Sequence, residues 1–291
     1  MRRRDVLKSM ALGGAAIAMG RMAPAAATPG MEEGAEAHLA RLERRQGGRL
    51  GVAILDSGNG RREGYRADER FLMCSTFKLL LASAVLHRVD HGKEKLDRRI
   101  VFGKDVLLDW APVTSKHAGP PGMTVSELCE AAITLSDNTA ANLLLKQIGG
   151  PQAVTAYARR LGDSLTLLDR YEPDLNPYDT TTPFAMLGDM QKVLLGGALS
   201  QTSREQLTLW LLNCQTGLQS LRAGFPSGWK IGDKTGQWDG NGIGANNDIA
   251  IVWPPRRKPL LVAAYYMNRT TDPAGRKAVL AEVGRIVASM G

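Results

Sequence analysis

Cysteine is scarce in this chain, occurring only as Cys74, Cys129 and Cys214 in 291 residues, and aromatic residues make up only 5%. An odd count cannot be fully paired. One disulfide is arithmetically possible, yet no spacing demands it, and the expected role of each is a small buried apolar residue. The four histidines (His38, His87, His91 and His117) form no cluster with carboxylates. His87 and His91 stand four apart, but Arg88 lies where a zinc protease helix would carry glutamate, so no metal is expected. No apolar run is long enough to cross a bilayer. A basic stretch interleaved with aromatics is also missing, which argues against nucleic acid as a partner.

The amino terminus reads as an export signal occupying residues 1–27. Arg2-Arg3-Arg4 and Lys8 precede a short apolar run, residues 10–19, and then Ala23-Pro24-Ala25-Ala26-Ala27. Charged region, apolar region and small-residue cleavage site are the three parts of such a segment. The consecutive arginines suggest the twin-arginine route and a periplasmic or secreted product with no membrane attachment after cleavage. The segment holds Arg2, Arg3, Arg4, Lys8 and Arg21 against Asp5. Its loss therefore removes four of the chain's eight net positive charges, leaving a mildly basic +4. Such a surface is an ordinary solvated one.

The remainder has the composition of a globular domain, 44% hydrophobic and 23% charged. A charged helix is expected over residues 32–45, a strand over 49–56, a turn over 56–60 and a polar return strand over 61–67. Residues 75–212 read as mostly helical, with Thr124-Val125-Ser126-Glu127 opening one helix as a capping box. Strands return over residues 229–235, 248–253 and 260–266 as an antiparallel meander, and an amphipathic helix closes the chain over 276–290. Strands at both ends around a helical insert imply an α+β fold. One lobe, carrying the antiparallel sheet, comprises residues 28–74 and 217–291. The other is helical and comprises 75–216, with an active-site cleft between them.

Cys74-Ser75-Thr76-Phe77-Lys78 opens the apolar run Leu79-Leu80-Leu81-Ala82. On a helix, residues three apart share a face, which sets the Lys78 amine beside the Ser75 hydroxyl. A serine needs an adjacent base to become a nucleophile, and a desolvated lysine has its pKa lowered far enough to serve. The backbone N–H groups of a first helical turn are free to stabilise an oxyanion. Three more motifs follow in order: Ser136-Asp137-Asn138, Glu172-Pro173-Asp174-Leu175-Asn176, and Lys234-Thr235-Gly236.

Together these motifs resemble those of the class A serine β-lactamases, from about residue 48 to the C-terminus. The arginine-rich start resembles the environmental, twin-arginine-exported branch. The resemblance implies a monomer without cofactor or metal that hydrolyses small-molecule β-lactams. Ser75 would form the acyl-enzyme, and the Ser75 and Gln237 N–H groups would bind the oxyanion. Ser136 would pass a proton to the leaving nitrogen beside Lys78 and Lys234. Lys234, Thr235 and Gly236 would form the wall that holds the substrate carboxylate. Asn138 would orient Lys78 and the acylamino group, and Glu172 with Asn176 would activate the deacylating water. Arg222 is a candidate second carboxylate anchor, its alternative an ordinary surface arginine. Trp110 is a candidate cleft wall, its alternative a loop aromatic packed on the helices. Two other functions remain open: a D,D-peptidase of the penicillin-binding type, and a sensor that acylates without turning over.

The chain also departs from this pattern. The loop bearing Glu172 has a neck pair in Arg170 and Asp179, but only Pro177-Tyr178 separate Asn176 from Asp179, so its far limb is cut short. Deacylation is the step this puts at risk, because a water misplaced by about 1 Å can cost on the order of a hundredfold. The link after Lys234-Thr235-Gly236, residues 237–246, is lengthened. Trp238 and Ala82 occupy the positions where family disulfides would place partners for Cys74 and Cys129. Three free thiols are therefore expected.

Overall fold

The computed structural model describes residues 34–174, 179–240, 242–269 and 272–290, so the expected export signal and Asn176 lie outside the described residues. Helix α1 (Ala35–Gln46) leads into strand β1 (Arg49–Asp56) and its short partner β2 (Arg62–Tyr65). β3 (Phe71–Leu72) precedes a 3₁₀ turn, Cys74–Thr76, that runs straight into α2 (Phe77–Asp90). The two-stranded ribbon of β4 (Arg99–Ile100) and β5 (Met123–Thr124) is followed by α3 (Val125–Thr134), α4 (Asn138–Ile148) and α5 (Pro151–Arg160). After the Glu172 loop come β6 (Thr180–Thr181), α6 (Pro183–Met190), α7 (Gln201–Leu212) and the single turn α8 (Leu221–Gly224). The long strands β7 (Lys230–Gly240), β8 (Ile243–Trp253) and β9 (Leu260–Asn268) and helix α9 (Pro273–Ser289) finish the chain.

The main sheet is antiparallel, with strand order β2-β1-β9-β8-β7. Its first and last strands in sequence meet because β1 pairs with β9 along its whole length, Arg49 with Met267 through Asp56 with Leu260. Alternation then gives the sheet two apolar faces. Leu50, Val52, Ile54, Val262, Ala264 and Tyr266 pack with Leu39 and Leu42 of α1 and Val279 and Val283 of α9. Ala53, Leu55, Leu261, Ala263 and Tyr265 face the larger core formed with α2 to α7. Helix α2 is buried from Phe77 to Leu86 and apolar on every side, as befits a helix at the centre of its neighbours. The capping box forms as expected: Glu127 N–H donates to Thr124 Oγ1 at 3.1 Å and Thr124 N–H to Glu127 Oε2 at 2.7 Å.

One expectation is corrected. The residues after Lys234-Thr235-Gly236 are not a loop. β7 and β8 stay paired to Gly240 opposite Ile243, making a long hairpin closed by two residues. Gly242, at φ +69°, supplies the left-handed conformation that such a tight turn requires. The polar, glycine-rich composition concealed a strand pair that extends past the site. Cys74, Cys129 and Cys214 are all buried free thiols, as expected.

Candidate active site

Ser75 lies in the 3₁₀ turn and Lys78 in the first turn of α2, which sets Lys78 Nζ 3.1 Å from Ser75 Oγ. Lys78 has no solvent exposure. It donates to Asn138 Oδ1 at 2.6 Å and to the Ser136 carbonyl at 2.9 Å, and lies 3.4 Å from Ser136 Oγ. Burial drives its pKa down to about 7, against the pull of the Glu172 carboxylate and with help from the nearby Lys234 charge. A lysine in that state spends much of its time as a neutral base at physiological pH.

The Ser136 backbone is left-handed, φ +58°, an uncommon conformation for a residue with a side chain. That turn presents both its carbonyl and its hydroxyl to Lys78. The hydroxyl also accepts from Lys234 Nζ at 3.0 Å, so Ser136 bridges the two buried lysine amino groups. Lys234 is likewise fully buried, which lowers its pKa, while its Nζ also binds the Thr235 carbonyl at 2.7 Å. Between Ser136 and Asn138, the fully buried Asp137 caps α4 through Ala140 N–H and accepts from Val113 N–H, Thr114 N–H and the Thr114 hydroxyl. It thereby fixes the segment bearing Trp110, whose own carbonyl accepts from Asn138 N–H at 2.9 Å.

Glu172 is buried with its Oε1 3.5 Å from Ser75 Oγ and 3.7 Å from Lys78 Nζ. At the neck of its loop, Asp179 Oδ1 accepts from Asp169 N–H at 2.6 Å. Burial lifts the Asp179 pKa to about 6, although the backbone donors and the Arg170 charge pull it down.

Strand β7 forms the opposite wall. A side chain at Gly236 would put a Cβ 2.9 Å from the Met73 carbonyl oxygen and 3.1 Å from Ser75 N, so only glycine lets the strand lie this close to the nucleophile. Asn247, paired with Gly236 across the hairpin, donates to the Leu72 and Met73 carbonyls and anchors the segment just before Ser75. Thr235 Oγ1 shares a hydrogen bond with Thr216 Oγ1. Ser75, Ser136, Asn138, Gln237, Trp110 and Trp238 all line one cavity of about 600 Å³. Trp110 is 55% exposed and anchored by its indole N–H to the Leu135 carbonyl, so it stands at the cavity as a wall.

Arg222 is not brought into this cavity: its guanidinium binds the fully buried Asp233 carboxylate. Asp248, also fully buried, is close enough to act on both Asp233 and Arg222. The arginine thus pairs with Asp233 instead of projecting into the cavity as a second anchor. Sequence reasoning overlooked Asn142, whose side chain accepts from Glu172 N–H at 3.0 Å and donates to the Glu172 carbonyl at 2.9 Å. Its position four residues after Asn138, one turn along the same helix, was the available signal.

A serine, a desolvated lysine, a bridging second serine and a buried glutamate define a serine acyl-transfer centre. The model of the family described as β-lactamase enzyme family matches residues 34–290. β-Lactamase L2 of Stenotrophomonas maltophilia is 46% identical over 288 residues, covering 97% of this chain and 93% of that protein. β-Lactamase OXY-1 of Klebsiella oxytoca is 45% identical over 255 residues, 86% of each. A solved ancestral class A β-lactamase superposes with a TM-score of 0.85 at 57% identity, covering 89% of this chain and all of that one. The chain belongs to the β-lactamase enzyme family, class A.

Proposed function

We propose that this protein hydrolyses β-lactams through an acyl-enzyme on Ser75 and releases it with a water activated by Glu172. The observation that carries the reading is the reach of Lys78, within 3.7 Å of Ser75, Ser136, Asn138 and Glu172 at once. Neutral Lys78 takes the Ser75 proton as Oγ attacks the lactam carbonyl. Ser136 then delivers a proton to the departing nitrogen, the Lys234 ammonium favouring the charged form of the relay. The Ser75 and Gln237 N–H groups hold the oxyanion, each such donor being typically worth about 3 kcal/mol of barrier. Lys234 and Thr235 receive the substrate carboxylate, Gly236 keeps that wall close, Asn138 orients the acylamino group, and Trp110 covers one side. Asn176 completes the water site with Glu172.

The same reading assigns the cleft to the meeting of a sheet lobe (28–74 and 217–291) with a helical lobe (75–216). It has residues 1–27 removed on export to the periplasm or medium, by the twin-arginine route of the environmental branch. The mature protein is then a monomer acting on small molecules, without nucleic-acid or membrane partners. Among the described residues, no helix is long and apolar enough to cross a membrane. The alternative of an acylated sensor is favoured by one feature, the short far limb of the Glu172 loop.

The test is a time course with a chromogenic β-lactam in large excess over the mature protein. Turnover far past one equivalent is expected. A single burst of one equivalent, with Ser75 carrying the acyl mass, would select the sensor.

A further inference from the structure

Away from the cleft, two carboxyl groups are buried against one another. Asp163, in the turn after α5, and Asp189, near the end of α6, bring their carboxyl groups within mutual reach, and Asp163 Oδ2 and both Asp189 oxygens are buried without an N–H or O–H donor among the described residues. Asp163 Oδ1 also accepts from Leu165 N–H at 2.6 Å and Thr166 N–H at 3.1 Å. Asp189 is fully buried, and neither of its oxygens meets an N–H or O–H donor from any other described residue. Two carboxylates cannot be buried together without a proton. The donors stabilise charge on Asp163, so the proton belongs to Asp189.

The place of this pair matters because each member holds one limb of the Glu172 loop. The incoming limb leaves Asp163 and is stitched to the outgoing one by a Thr166–Thr181 hydroxyl bond of 2.6 Å and by Leu167 N–H to the Thr180 carbonyl at 2.9 Å. The outgoing limb enters α6 through Thr182, whose hydroxyl caps the helix at Ala185 N–H. Helix α6 then carries Asp189 back to Asp163, closing a ring whose far end is the catalytic glutamate.

We propose that Asp189 is a positioning residue for deacylation, acting as a neutral carboxylic acid that donates to the Asp163 carboxylate and clasps the neck of the Glu172 loop. The inference rests on the assignment of Glu172 above. The titratable groups facing Asp189 are Asp163, Arg159 and Tyr157 from the α5 side, Lys192 just beyond α6, and Tyr265 from β9. Burial and the Asp163 charge keep the Asp189 proton in place to about pH 9, while Lys192 and Arg159 oppose them. Above that pH two adjoining charges would repel, loosening the neck.

The experiment compares the mature wild type with Asp189→Asn, which keeps a donor that cannot ionise, and Asp189→Leu, which has none. Acylation and deacylation are measured separately by quenched intact mass. The Leu variant is expected to deacylate about tenfold more slowly and accumulate Ser75 acyl-enzyme, with acylation within about twofold of wild type, because only the water is misplaced. The Asn variant is expected to recover deacylation. Wild type is expected to lose deacylation as pH rises through about 9, and the Asn variant to lack that loss. Asn and Leu variants that behave alike, both steps slowing together, or an alkaline loss that persists in the Asn variant would each overturn the proposal. Should the Leu variant not fold, infrared spectra of the other two decide. A protonated-carboxyl stretch present in wild type at neutral pH and missing from Asp189→Asn is expected; no difference overturns it. A failure of Glu172 itself shows separately, as normal deacylation in Glu172→Ala.

Discussion

Asn142 grips Glu172 by both edges of its peptide, taking its N–H at 3.0 Å and giving to its carbonyl at 2.9 Å. The glutamate is thus tied to α4, which helps to hold it beside Ser75. Asn142→Ala should slow deacylation by on the order of a hundredfold and turn steady turnover into a burst, since a displacement of about 1 Å is enough. Steady-state rates unchanged within error would show that the near limb holds itself.

Glu172→Gln removes the base while keeping the shape. Turnover should fall by about 10²–10⁴, with acyl-enzyme on Ser75 persisting in intact-mass spectra. Full turnover in this variant would withdraw the deacylating role from Glu172.

Lys78 is the group whose charge changes near neutrality. Its neutral form is the base, so the acylation rate should rise as pH climbs through about 7 and level off above it. The sign for stability is the same. The unfolded lysine keeps its proton up to about pH 10 while the folded one sheds it near 7. The unfolded chain therefore binds more protons between those values, and Lys78's contribution to stability grows with pH across that window. Single-turnover acylation measured over pH 5–9 checks the first point; a flat profile contradicts it.

Gly236→Ala would push a methyl group against the Met73 carbonyl and Ser75 N. Backbone, not a flexible side chain, must give way, which spoils the oxyanion donors on either side. A loss of about 10²–10³ in kcat is expected, with folding largely retained by circular dichroism. Unimpaired kcat would mean that the strand can retreat without cost.

Arg222→Ala should reveal a structural arginine. Its removal leaves Asp233 buried without its guanidinium partner, so urea unfolding should show a loss on the order of 3 kcal/mol. KM should stay close to wild type. A large rise in KM with unchanged stability would restore the anchor role implied by the resemblance.

Much of this was legible in advance where local pattern and chemistry agree. The β1 run of residues 49–56 appeared at those boundaries, and the Thr124 capping box formed as written. Ser75, Lys78, Ser136, Glu172 and Lys234 converged from four separate motifs because each is fixed by its own helix, turn or strand. What sequence hid were relations across space. The extended β7–β8 hairpin was disguised by glycines and polar residues that usually mark loops. Arg222 was a candidate anchor from its place near the site in sequence, which says nothing about a buried carboxylate such as Asp233 competing for it. Asn142 passed unnoticed, since its target lies thirty positions away on a loop.

Strand β7 is the outermost strand of its sheet on the site side, and it runs for eleven residues. An open strand edge invites another chain to add itself as a further strand, and proteins usually discourage this with proline or an inward-pointing charge. In β7, Ile231 to Lys234 and Gly236 are buried, so the accessible stretch is the outer one from Gln237 to Gly240. Here either remedy at residues 235–237 would remove the backbone donors or the close approach on which the chemistry depends. The protein therefore keeps the accessible stretch of this strand edge short and places it beside the cavity, where the site needs backbone groups within reach.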